Sequence, residues 1–110
     1  MWITSAPTIV LIADTSTPCP QFPVAIADGQ SLVIGRSDDV DIQTSDRWVS
    51  RRHCELRRRG NQIEVRDLES RHGTYVNGER ISMASLKPGD ELCIGLSVFR
   101  LAERCDRLLH

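Results

Sequence analysis

Two arginines and a serine stand next to predicted strands, and their side chains are all hydrogen-bond donors. Arg36 ends one predicted strand, and Ser50-Arg51 shortly precede another. A guanidinium presents a planar fork that grips a phosphate with two hydrogen bonds, and a hydroxyl adds a further donor. A site made of these groups suits an anionic ligand, and such binding needs neither a nucleophile nor a base.

Positive charge is concentrated in the middle of the chain. Residues 1–46 contain one basic and six acidic side chains, whereas residues 47–80 contain nine arginines and five acidic side chains. The middle segment therefore carries +4 in a chain of 110 residues whose net charge is −1. A basic region of this limited extent favours a small anionic partner over a long polyanion such as nucleic acid.

Short strands must position these residues. Apolar and β-branched residues alternate or cluster in short segments, and turn residues separate the segments, Asn77-Gly78 being the strongest hairpin signal. About ten short strands in an all-β, antiparallel sandwich follow from this pattern, and loops at one end of a sandwich converge on a ligand. The predicted strands are 8–14, 22–27, 31–36, 40–43, 53–59, 62–67, 74–76, 79–81, 91–94 and 97–102.

Five motifs occur in order along this pattern. They are Val33-Ile34-Gly35-Arg36, Val40-Asp41-Ile42, Val49-Ser50-Arg51-Arg52-His53-Cys54-Glu55-Leu56, Val65-Arg66-Asp67-Leu68-Glu69-Ser70 and Gly73-Thr74-Tyr75-Val76-Asn77-Gly78. Together they are similar to the signature of the forkhead-associated (FHA) domain family. The similarity covers residues 8–102, which leaves residues 1–7 as an N-terminal extension. Residues 103–110 are then a tail that forms a short helix or begins a linker.

The resemblance implies a β-sandwich of about eleven strands that binds phosphothreonine in an extended peptide and catalyses no reaction. It implies that Arg36 and Ser50 contact the phosphate and that Arg51 contacts the phosphate or the peptide backbone. No cofactor or metal is implied. The residues that would support the loops without touching the ligand are Gly35, His53, Gly73 and Thr74.

The chain departs from the family pattern beside the Gly73-Thr74 pair. His72 stands where the family often has an asparagine that bonds the peptide backbone, and Arg71 stands where a small polar residue commonly contacts phosphate. Arg71 therefore adds a phosphate-binding guanidinium. His72 takes the place of the asparagine that would hold the peptide backbone. Trp48 lies in the loop that governs side-chain selectivity in the family, and it favours an apolar or aromatic residue in the peptide.

Three alternatives accompany this interpretation. The first is a phosphate-independent interaction or dimerisation module on the same fold, which the departure at His72 favours. A hydrolase with Ser50, His53 and Asp67 as its triad lacks the G-x-S-x-G nucleophile motif. Nucleic-acid binding through Arg57–Arg59 is disfavoured by the net charge and the few aromatic residues. We expect these three arginines to form the solvated face and turn of a hairpin.

Four cysteines complete the inventory of reactive side chains. Cys19, Cys54, Cys93 and Cys105 show no C-x-x-C spacing, and this makes a zinc site improbable. Free thiols indicate the cytoplasm, or the nucleus of a eukaryotic cell. The longest apolar run is Ile9–Ala13, which is far too short to insert in a membrane. The expected partner is a phosphothreonine-containing protein, and the chain is compatible with fusion to further domains.

Overall fold

A computed structural model describes residues 8–18 and 23–104, and these residues form eleven strands. No helix occurs among these residues, and the eleven-strand sandwich implied by the resemblance is confirmed. The strands are β1 (Thr8–Ala13), β2 (Val24–Ile26), β3 (Ser31–Gly35), β4 (Ile42–Gln43), β5 (Cys54–Arg59), β6 (Gln62–Asp67), β7 (Thr74–Val76), β8 (Glu79–Ile81), β9 (Met83–Leu86), β10 (Glu91–Ile94) and β11 (Ser97–Arg104).

Two sheets divide the strands between them. The six-stranded sheet has the order β2-β1-β11-β10-β7-β8, and the five-stranded sheet has the order β4-β3-β5-β6-β9. The pair β3–β4 is parallel, and the other described pairs are antiparallel. No helix long and apolar enough to cross a membrane occurs in residues 8–18 and 23–104.

The core lies between the sheets and follows from the alternation of side chains along each strand. On β5, Cys54 and Leu56 are buried and Arg57 is exposed; on β6, Ile63 and Val65 are buried and Glu64 between them is exposed. Inward-facing apolar residues of the other sheet complete this cluster, with Phe99 among its largest fully buried side chains. The two-residue period thus fixes which face of each strand is buried.

Two tight hairpins are built on turn residues, and the hairpin predicted at Asn77-Gly78 is confirmed. Gly60-Asn61 joins β5 to β6, and Gly60 has a φ of +61°. Asn77-Gly78 joins β7 to β8, and both residues have positive φ values, of 51° and 87°. Two consecutive left-handed residues define the type I′ turn that suits the twist of a two-stranded ribbon.

Two segments differ from the prediction. β9 was not predicted, because Met83-Ala-Ser-Leu lacks β-branched residues; it is a strand through its pairing with β6. The predicted helical tail is wrong at its start, because β11 continues to Arg104, where Glu103 and Arg104 pair with Ile9 and Thr8. The rest of that tail, the strand start at Phe22, Cys19 and Cys105 lie outside the described residues.

Arg58 corrects the prediction that the whole run Arg57–Arg59 is solvated. Its side chain faces the core side of β5 and is only 6% exposed. Nη1 donates to the carbonyl of Ile26 and Nε donates to the carbonyl of Gly60, each at 2.6 Å. Arg58 therefore joins β2 to the β5–β6 turn through two backbone carbonyls. It is not available as a surface cation.

Replacing Arg58 with alanine is expected to lower the free energy of unfolding by about 2–4 kcal/mol, because two carbonyls lose their donor and a cavity remains. Arg57→Ala is the matched control, because Arg57 is exposed at the preceding position of the same strand. This substitution should change stability by less than about 0.5 kcal/mol. Urea unfolding of both variants measures the difference. Equal effects of the two substitutions would contradict the structural role of Arg58.

Candidate functional site

Three loops meet at one end of the sandwich and enclose an open cavity of about 310 Å³. They are the β3–β4 loop, the β4–β5 loop and the β6–β7 loop, so the predicted convergence of these segments is confirmed. The lining residues are Arg36, Arg47, Trp48, Val49, Ser50, Arg71 and His72.

Arg36 is fixed by the neighbouring loop. Its amide donates to the carbonyl of Ser50 at 3.0 Å, and its Nε donates to the carbonyl of Val49 at 3.0 Å. The terminal guanidinium nitrogens have no hydrogen-bond acceptor in the described part of the chain. The bond from Nε therefore orients the side chain, while the four N–H groups of the terminal nitrogens remain for a ligand.

Ser50 links the other two loops. Its Oγ accepts a hydrogen bond from the amide of Arg71 at 3.0 Å, and its own amide donates to Nδ1 of His53 at 3.0 Å. A hydroxyl that accepts from an amide still has a proton to donate. Ser50 can therefore offer that proton to an anion in the cavity.

His53 is fully buried beneath the loops and joins two of them. Because Nδ1 accepts from the Ser50 amide, the ring proton is on Nε2, which donates to the carbonyl of Gly73 at 2.8 Å. Burial lowers the pKa of His53 below its ordinary value, although the hydrogen bond to Gly73 and the charge of Asp67 oppose the change. The neutral tautomer is the form that this geometry requires.

Asp67 organises the β6–β7 loop. Its Oδ1 accepts from the hydroxyls of Ser70 (2.5 Å) and Thr74 (2.7 Å), and its Oδ2 accepts from the Ser70 amide. Burial pushes the pKa of Asp67 upward, but these hydrogen bonds together outweigh burial, so the pKa lies below its ordinary value. Ser70 Oγ also accepts from the Gly73 amide, which extends the network to the cavity rim.

Two glycines support the loops, Gly35 by a close backbone approach and Gly73 by its backbone conformation. A Cβ at Gly35 would overlap the carbonyl oxygen of Arg51, so β3 can lie against the β4–β5 loop only with glycine there. Gly73 has a φ of +92°, and a Cβ there would lie 2.7 Å from Nε of Arg80. Both residues adjoin cavity-lining residues along the chain, and neither they nor buried Thr74 line the cavity.

The aromatic rings of Trp48 and His72, which both line the cavity, contact each other. Their centroids are 5.2 Å apart and their planes meet at 72°, an edge-to-face contact between two loops. Arg51, in contrast, is exposed but is not among the residues that line the cavity. Arg47 does line it and was missed by the sequence analysis, although its place beside Trp48 was a signal.

The residues suggested for a hydrolase triad do not form one. His53 accepts a hydrogen bond from the amide of Ser50 and makes none with its hydroxyl. Asp67 accepts hydrogen bonds from Ser70 and Thr74 and makes none with His53. Within the described residues, no group of three or more His, Cys, Asp or Glu side chains is placed to hold a metal ion. Burial raises the pKa of the free thiols of Cys54 and Cys93, which keeps both protonated.

Comparisons with known proteins agree with this geometry. Residues 32–95 match the family model described as FHA domain. The chain is 47% identical over 70 residues to an oxoglutarate dehydrogenase inhibitor of Corynebacterium jeikeium, covering 64% of this chain and 49% of the relative. It is 44% identical over 70 residues to the glycogen accumulation regulator GarA of Mycolicibacterium smegmatis, covering 64% of this chain and 44% of that protein.

A solved structure gives the same result for the fold. An FHA domain from a structural and functional analysis of phosphothreonine-dependent FHA domain interactions superposes with a TM-score of 0.77 and 31% identity, covering 92% of this chain and 99% of that one. The chain spans about half the length of the curated relatives that it matches, at 49% and 44% of theirs. The family match covers more than half of the chain, so the chain belongs to the forkhead-associated (FHA) domain family.

Proposed function

We propose that this chain binds phosphothreonine-containing segments of partner proteins and acts as a non-catalytic signalling module downstream of a Ser/Thr kinase. One observation carries the proposal: a single open cavity is lined by Arg36, Arg47, Ser50 and Arg71, which all present donors. A phosphate dianion is entirely an acceptor, so the two are complementary. An unmodified threonine hydroxyl offers neither the charge nor the three acceptor oxygens.

Arg36 and Ser50 are the proposed phosphate ligands with the best-defined geometry, because both are held by backbone hydrogen bonds. Arg71 adds a guanidinium from the β6–β7 loop. The hydrogen bond from its amide to Oγ of Ser50 keeps this residue at the cavity. Arg51 is assigned a contact to the peptide rather than to the phosphate, since it does not line the cavity. His53 acts as a positioning residue for Ser50.

Trp48 and His72 are the proposed contacts of the peptide itself. They line the cavity, and their edge-to-face contact ties together the loops that flank the phosphate-binding groups. His72 offers an imidazole in place of the asparagine amide that is common in the family. A neutral imidazole has one donor nitrogen and one acceptor nitrogen, and either can bond the peptide backbone.

The relatives support a regulatory rather than an enzymatic role. Two of them are named as an inhibitor of oxoglutarate dehydrogenase and a regulator of glycogen accumulation. The related solved domain comes from work on phosphothreonine-dependent interactions. The family match on this chain covers residues 32–95, and we propose that this FHA domain recruits phosphorylated partners.

Nuclear magnetic resonance tests where the peptide binds. Amide shifts of the labelled protein would be followed during titration with a phosphothreonine peptide and with its unmodified twin. We expect the largest changes at Arg36, Ser50 and Arg71, and only with the phosphorylated peptide. Equal changes with both peptides, or changes confined to an outer sheet face, would instead support a phosphate-independent interaction module.

A further inference from the structure

The segment 14–18, which follows β1, is attached to β11 by one threonine side chain. Thr17 is only 4% exposed, and its hydroxyl makes two hydrogen bonds with the backbone of Val98. Oγ1 accepts from the Val98 amide at 2.8 Å and donates to the Val98 carbonyl at 3.0 Å. The hydroxyl therefore forms the pair of hydrogen bonds that a neighbouring strand would form, and it fixes this segment beside β11.

The residue after Thr17 holds the start of the β4–β5 loop. The carbonyl of Pro18 accepts from the amide of Ser45 at 3.0 Å, from the hydroxyl of Thr44 at 3.0 Å and from the hydroxyl of Ser45 at 3.4 Å. Thr44 is fully buried, so its hydrogen bond is shielded from water. Because Thr17 precedes Pro18 in the chain, the bonds of Thr17 to Val98 also determine where this carbonyl lies.

Hydrogen bonds continue from Thr44 along the β4–β5 loop to the cavity. The hydroxyl of Thr44 accepts from the amide of Asp46 at 3.2 Å, and the carbonyl of Asp46 accepts from the amide of Val49 at 3.1 Å. The carbonyl of Val49 in turn accepts from Nε of Arg36 at 3.0 Å, and Arg36 lines the cavity. A continuous series of contacts therefore connects Thr17 to the guanidinium of Arg36.

We propose that Thr17 is a positioning residue for phosphopeptide binding, because it holds the guanidinium of Arg36 in its binding orientation from outside the cavity. This inference rests on the proposed function and adds to it a residue that does not line the cavity. Without the hydroxyl of Thr17, the β4–β5 loop loses its fixed contact with the carbonyl of Pro18. The ligand then has to order Arg36 itself, and ordering a long side chain on binding lowers the affinity.

Calorimetric titration of three variants with a phosphothreonine peptide pool tests the proposal. Thr17→Val keeps the branched shape and removes the hydroxyl, and it should weaken binding by about 3- to 10-fold, as expected when one more side chain is ordered on binding. Thr17→Ser keeps the hydroxyl and should bind within about twofold of wild type. Thr15→Val is the matched control, since it is the same substitution at an exposed position of the same segment, and it should leave affinity unchanged.

Hydrogen exchange of the Nε–H group of Arg36 separates loss of orientation from loss of stability. In the free wild-type protein, the hydrogen bond to the Val49 carbonyl protects this proton. Thr17→Val should accelerate its exchange by about 5-fold or more, because the loop opens locally. A merely destabilised fold would accelerate only the amides of β5, the central strand of its sheet, which exchange by global unfolding.

A double-mutant cycle tests whether the effect passes through Arg36. Arg36→Lys keeps a positive charge but has no Nε–H group to bond the carbonyl of Val49. In that background, Thr17→Val should lower the affinity by less than about twofold, so the effects of the two substitutions are not additive. A full effect of Thr17→Val in the Arg36→Lys background would overturn the proposed connection.

The outcomes distinguish this inference from the proposed function. Equal phosphopeptide affinities of Thr17→Val and wild type, or unchanged exchange of the Arg36 Nε–H group, would overturn the role of Thr17 and leave the proposed function intact. Should Thr17→Val fail to fold, Thr17→Ala, which lacks the hydroxyl and is smaller, decides the question by the same measurements. Absence of phosphate-dependent binding in the wild-type protein would overturn the proposed function and this inference together.

Discussion

Replacing Arg36 with alanine is expected to weaken binding of a phosphothreonine peptide by about 100-fold or more. Charge-assisted hydrogen bonds contribute about 1.5–3 kcal/mol each, and a guanidinium forms two of them with one phosphate. The bond from Nε to the carbonyl of Val49 is the reason for the size of the effect. It holds the side chain in its binding orientation before the ligand arrives, so little conformational entropy is lost on binding.

The controls for Arg36 separate charge from geometry. Arg36→Lys keeps the positive charge but loses the fork, and it should recover only part of the affinity. Arg57→Ala removes an exposed arginine of β5 and should leave affinity unchanged, which excludes a general effect of net charge. Isothermal calorimetry measures the dissociation constants. A change of less than about threefold in Arg36→Ala would contradict the assigned role.

Replacing His53 with alanine is expected to lower the free energy of unfolding by about 3–5 kcal/mol. The substitution leaves the Ser50 amide and the Gly73 carbonyl without partners and opens a cavity beneath two loops. Ser50 would also lose its position, so phosphopeptide binding should fall. His72→Ala is the matched control, because His72 is exposed at the same end and should change stability by less than about 0.5 kcal/mol.

The stability of the fold should also fall in mild acid because of His53. Burial lowers the pKa of His53 in the folded protein below the ordinary value of 6.5, whereas the unfolded chain takes up a proton near that value. Below it the unfolded state therefore binds more protons, so the stabilisation present above it is lost as the pH falls toward the folded pKa. Urea unfolding at about pH 7.5 and about pH 5.5 measures this loss. Equal or greater stability at the lower pH would contradict the buried neutral imidazole.

Much of the fold was predictable because it depends on local rules. The alternation of Cys54 and Leu56 with exposed residues, and the Asn77-Gly78 turn, fixed strands and hairpins that the structure confirms. β9 was missed because its strand conformation comes from pairing with β6 rather than from its own residues. Arg58 was misassigned because its residue type outweighed its place in the two-residue period, in which it follows Cys54 and Leu56 inward.

The candidate site was predictable where the ordered motifs, or residues directly beside them, mark the loops. Arg36, Ser50, Arg71 and His72 line a single cavity, as the order of their motifs indicated. The hydrogen bond that the Leu96 amide donates to the carboxylate of Asp46 was not predictable, because it joins positions 50 residues apart. Such a contact leaves no periodic or local signal in one sequence.

Calorimetric titration with a pool of phosphothreonine peptides tests the central claim most directly. The unphosphorylated twin of the pool and the Arg36→Ala variant would be measured in parallel. We expect heat of binding only when the phosphate and Arg36 are both present. Absence of phosphate-dependent heat at high micromolar protein, or equal heat from both pools, would contradict the assignment of this cavity as a phosphothreonine site.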